Sequence, residues 1–228
     1  YCAAPEYLKP RRALDAALRQ DAVAFWRART DAGDGAAAWH SLGMAYEKQF
    51  DTSGAVDAFT QARRRNPGSR PIAKALTRAL AATKQYAAAA EVYRDLLARY
   101  PADAGAHLGL GEIECALGHP EDAAIQATKA LEALEPLKKD LKHAGYTYSE
   151  ITGIFGGAAL LYESAAQWHL DRNDIGKARE YAERAQRGLD DALALDLFPA
   201  LLGESFARAL LRQAALERRF HPDAWSLR

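Results

Sequence analysis

Cysteine is nearly missing from this chain. Its 228 residues hold two, Cys2 and Cys115. A pair so far apart is weak ground for a disulfide, and a chain of this length does not need one. There is no excess of charge of either sign: Lys plus Arg and Asp plus Glu number 30 each. That balance removes the global attraction that would point to nucleic acid or an anionic membrane. No run of apolar residues is long enough to span a bilayer. The short signatures of chemistry are missing as well. Neither a phosphate-cradling G-x-x-x-x-G-K-[ST], a zinc-binding H-E-x-x-H nor a nucleophile-elbow G-x-S-x-G occurs. Cofactors and catalysis are therefore not expected.

What is present is alanine and a period. Hydrophobic residues make up 49% of the chain, much of that alanine. Alanine costs least in a helix and lets helices approach closely. Between residues 36 and 67, Trp39, Leu42, Gly43 and Tyr46 mark one helical face. Ala55, Phe59 and Ala62 mark a second, and Pro67 closes it. Asp51 to Gly54 is the turn between them. Trp39, Leu42, Tyr46 and Phe59 are the expected core, and Gly43 the expected close crossing. The same spacing returns over 70–103 with Leu76, Leu80, Ala89, Tyr93 and Pro101. It returns over 104–137 with Leu110, Gly111, Ala123, Ala127, Ala130 and Pro136. Residues 138–158 break it. There Ser149 is a reasonable N-cap for a helix reaching about Leu170, and Gly153, Gly156 and Gly157 should loosen its first half. A weaker copy spans 159–192 with Tyr162, Ala165, Ala178, Ala182 and Ala185.

This pattern resembles the tetratricopeptide repeat, a helix pair of about 34 residues with a W-x-x-L-G-x-x-Y…A-x-x-x-F…P signature. All its signature positions are filled in the first copy. The resemblance implies an all-α, right-handed solenoid of antiparallel helix pairs, with about four repeats. Residues 1–35 would form an N-terminal segment and capping helix, running from about Pro10 to Arg29. Residues 193–228 would form the C-terminal capping helix and tail, since Leu202-Gly203 and Phe206 resemble the start of a fifth repeat. The 138–158 insert, with Tyr146 and Tyr148, is expected to be a mobile or docking segment. Residues 143–158 would either cover part of the groove or contact a partner.

The resemblance also implies a job. In stacked helix pairs the first helices line a concave surface. The positions so placed are His40, Met44 and Glu47, then Lys74 and Arg78, then Leu108 and Glu112, then Glu163 and Gln167. These are the expected partner-binding residues of a non-catalytic adaptor that takes a peptide or helix of a protein partner. Lys74 and Arg78 stand one turn apart and would hold an acidic side chain or chain terminus. The lysine, asparagine and arginine clamp of some family members is not matched, so a chaperone-tail receptor is not expected. The alternative reading is a structural or assembly module acting through caps, insert or self-association.

Charge is uneven along the chain. No acid lies between Asp57 and Glu91, a gap holding seven cations. From Asp103 to Glu135 seven acids face Lys129 alone. Cations at a helix end and anions at a helix start account for part of this. The acidic neighbour argues against nucleic acid. Cys115 and His119 are four apart, a spacing that shares a metal on a helix. Gly118 and Pro120 instead place His119 in a turn, so no metal is expected. The chain begins Tyr1-Cys2, and a trimmed cytoplasmic protein is the expectation. A periplasmic or outer-membrane lipoprotein anchored through Cys2 is the alternative, and Tyr1 is an unusual residue before a lipidated cysteine.

Overall fold

The structure, a computed structural model, describes residues 21–137, 147–194 and 204–220. The expectations on Cys2, on the helix before residue 21, on 143–146 and on Pro199 to Gly203 lie outside them. Every regular element among the described residues is helical. They are α1 (21–31), α2 (Ala36–Lys48), α3 (Thr52–Arg65), α4 (Arg70–Ala82), α5 (Tyr86–Arg99), α6 (Ala104–Ala116), α7 (Pro120–Leu134), α8 (Tyr148–Leu170), α9 (Ile175–Ala194) and α10 (Glu204–Phe220), with a 3-10 turn at Glu135–Leu137. Two compact units divide the chain, residues 1–92 and 93–228.

Local chemistry starts and stops these helices. The Asp51 side chain accepts from the Gly54 amide at 2.9 Å, and the Asp103 side chain from Ala106 at 3.0 Å. Pro71 and Pro120 sit in the first turns of α4 and α7, where a missing N–H costs nothing. Among the described residues, five helices end the same way, with a residue of positive φ: Gly33 (90°), Phe50 (62°), Lys84 (59°), Gly118 (85°) and Asn173 (62°). Around each, two amides fold back on the last turn. For Phe50 they are Phe50 N–H to Glu47 O and Asp51 N–H to Tyr46 O. This is the Schellman ending, which satisfies orphan carbonyls and favours glycine.

In the first unit, α2 and α3 pack through Leu42, Ala45 and Ala58, joined by Val23 of α1 and by half-buried Trp26, Trp39 and Tyr46. Phe59 is fully buried. Gly43 lies against it: a Cβ built there would meet the Phe59 ring at 2.5 Å. The expected close crossing is found. Trp39 differs from expectation in being only half-buried. Arg65 lies over its ring at 4.8 Å, so one face is covered by a guanidinium instead of a helix.

In the second unit, the core is built from alanine-lined α7 and α8, with Leu134, Phe155 and Leu189 fully enclosed. Two expectations are corrected here. The cap of α8 is Thr147, not Ser149. Its hydroxyl accepts from the Glu150 amide at 3.2 Å while the Glu150 carboxylate accepts from the Thr147 amide at 2.9 Å, a reciprocal capping box. Residues 148–158 are not a loose insert either. They form the first half of a continuous 23-residue helix, and Ile151, Ile154, Phe155 and Ala158 are buried. Gly157 is a seat, not a weak point: a Cβ there would meet Leu108 at 2.8 Å.

Candidate protein-binding faces

The positions picked out in the sequence stand differently in the two units. In the first, His40, Met44 and Glu47 recur at i, i+4 and i+7 on α2, so they form one stripe. Lys74 and Arg78 form a stripe on α4 in the same way. Arg78 donates to both oxygens of Glu47, at 3.1 and 2.6 Å, which joins the two stripes into one surface. The pair is exposed on the arginine side and contributes little to stability, about 0–1 kcal/mol, yet it fixes where the guanidinium points. Arg78 is thus engaged by an acid of this chain, where the sequence reading gave it an acidic group of a partner. Lys74 is exposed with no ion-pair partner among the described residues. Met44 is 44% exposed. The His40 ring, half-buried and 5.5 Å from that of Phe59, is held below its usual pKa by lost hydration. Glu47 opposes that shift and Arg78 adds to it. The face therefore presents a cation, a flexible thioether and a neutral imidazole around a fixed ion pair.

The second unit is different. Glu112 of α6 is exposed, yet atoms packed around its carboxyl remove enough hydration to push its pKa up. Leu108 is half-buried against Gly157 and belongs to the core. Glu163 is only 3% exposed, and Gln167 is held by Asp171 and by Arg219 of α10. So α10 lies over the α8 positions that the sequence pattern leaves open for a partner.

Two polar clusters have no forewarning in the repeat pattern. Glu114, at the position of a signature tyrosine, is buried. It takes Arg94 at 2.7 Å and the His119 ring at 3.1 Å. Asp122 stands close enough to complete a three-ligand set with them, but the Arg94 guanidinium already supplies the positive charge a metal would bring. His169, 3% exposed, has Glu121 at 3.1 Å and Asp174 at 3.4 Å from its two ring nitrogens, and stacks on Tyr181. It ties the starts of α7 and α9 to the end of α8. Cys115 is a half-buried free thiol. No described helix is long and apolar enough to cross a membrane.

Residues 70–113 match the model of a family described as tetratricopeptide repeat. No curated protein matches the chain in sequence. Among solved structures, a crystal structure of MamA superposes with a TM-score of 0.55 at 15% identity, covering 85% of this chain and 97% of that one. MamA from Desulfovibrio magneticus RS-1, from residue 41 to its end, gives 0.52 at 19% identity, with 81% and 96% covered. At these identities the likeness is one of fold.

Proposed function

We propose that this chain, a tetratricopeptide-repeat protein, is a non-catalytic adaptor that binds a peptide or helix of a protein partner on the α2–α4 face. The observation carrying this reading is the two-point contact of Arg78 with Glu47. It sets two exposed stripes side by side, with Met44 available for apolar contact and Lys74 for an acidic group. Methionine suits such a surface because its unbranched, polarizable side chain adapts to different shapes. Lys74 would take an acidic side chain or a chain terminus. The test is a photoreactive side chain in place of Met44. Cross-linking to a discrete protein partner is expected, and its loss in Lys74→Glu with Arg78→Glu. Cross-linking that is diffuse, or indifferent to the double change, would count against this face.

One observation favours the assembly alternative. Phe50 is 88% exposed at the end of α2, a large ring left in water where the turn has no need of it. Self-association through that ring would show as a concentration-dependent mass that Phe50→Ser removes.

A further inference from the structure

Glu163 is an isolated polar group in the second unit. It is 3% exposed, and neither carboxyl oxygen has a hydrogen-bond donor among the described residues. Burying a carboxyl without a donor is costly. Burial pushes its pKa up to about 8, against the opposing pull of Arg212 on α10. The helix covering this region is α10. Its Leu216 packs with Ala166 and Ala182. Gln213 donates to the Ala182 carbonyl at 3.1 Å, and Arg219 donates to Gln167. Along α10, Arg208, Arg212, Arg218 and Arg219 outnumber Glu204 and Glu217. The cover is thus an amphipathic helix with a basic excess, lying over a buried acid. Arg212 acts on Glu163 only through space, since no hydrogen bond reaches the carboxyl. Shape and charge sign are met, and the contact itself is not.

We propose that the α8 face holding Glu163 and Gln167 is a docking site for a basic amphipathic helix of a partner protein, which takes the place of α10 and sets an arginine or lysine against the Glu163 carboxylate. A second copy of this chain is a poorer occupant. It would bring the same α10 and leave the same carboxyl without a donor. The site lies wholly in the second unit and stands independently of the α2–α4 face.

The test uses the full chain and three fluorescein-labelled peptides. One has the 204–220 sequence, and two carry an added arginine, Ala209→Arg or Gln213→Arg. Anisotropy should show at least one arginine peptide binding roughly tenfold tighter than the parent, the size of one charge-assisted hydrogen bond. Glu163→Gln should abolish that preference and leave parent binding in place. Amide exchange over 204–220 should rise as the peptide binds. Leu216→Ala, which loosens α10, should strengthen binding of all three peptides. If that variant loses its helicity, Arg219→Ala, which removes only the contact to Gln167, replaces it. A preference that survives Glu163→Gln overturns the proposal. So does unchanged protection of α10 at saturating peptide, or no binding by the loosened variant. A dimer that exchanges α10 between copies, with no arginine preference, also overturns it.

Discussion

Phe50, Lys84 and Gly118 occupy the same turn in three successive repeats, and all have positive φ. The left-handed region costs a bulky residue about 1–2 kcal/mol and costs glycine nothing. The Phe50 side chain is exposed and recovers little of that cost. Phe50→Gly should therefore raise stability by up to about 1 kcal/mol after the extra chain entropy of glycine is deducted, read from the urea midpoint. Gly43 gives the opposite case. Its space is filled by the Phe59 ring, so Gly43→Ala should destabilise by about 1–3 kcal/mol through overpacking. Gly43 was legible because glycine at that signature position has one use, close approach. The Phe50 turn was not. A residue forced into a glycine conformation leaves no trace in hydrophobic spacing. Nor does a buried Glu114 at a tyrosine position announce the arginine and histidine that satisfy it.

Among elements, α8 shows where reading by period fails. Its three glycines suggested a loose segment, because glycine weakens an isolated helix. Packing reversed that at Gly157, where the missing Cβ admits Leu108. Its cap was misplaced by two residues, since Thr147 and Ser149 are equally good caps locally and only the reciprocal Glu150 contact decides. A last helix was expected from the likeness of Leu202-Gly203 and Phe206 to the start of a repeat, but its place over Glu163 was not legible, because a sequence pattern does not say which face a last helix covers. That place has a pH consequence. The Glu163 carboxyl rises from an ordinary 4.5 to about 8 when covered, with Arg212 as the charged group facing it from α10. The folded chain therefore holds a proton that the open chain releases. The α10 contact should be strongest below about pH 4.5, weaken as pH rises towards 8, and level off above. Between pH 5 and pH 8 the wild type should lose up to about 4 kcal/mol more than Glu163→Gln, measured from urea midpoints at the two pH values. Parallel curves for the two proteins would remove Glu163 as the cause.

At the scale of the whole molecule, the helix-pair architecture was legible because one repeat fills every signature position and its spacing returns down the chain. The candidate surface was legible only as a set of positions. Their states came from contacts between helices: Arg78 engaged by Glu47, Leu108 absorbed into the core, Glu163 and Gln167 covered. The proposed partner-binding surface is the α2–α4 face, with Lys74 and Arg78 as its cations. The most direct measurement is the affinity of the cross-linked partner for the wild type and for Lys74→Glu with Arg78→Glu, at low and moderate salt. Neither residue is in the core, so helicity should be kept. Each exposed pair is weak, about 0–1 kcal/mol, so single changes should weaken binding only a few-fold. The double change replaces attraction by repulsion and should weaken it by roughly tenfold or more at low salt. The difference should shrink at moderate salt as screening sets in. Equal affinity of the two proteins at both salts, with helicity intact, would contradict the account.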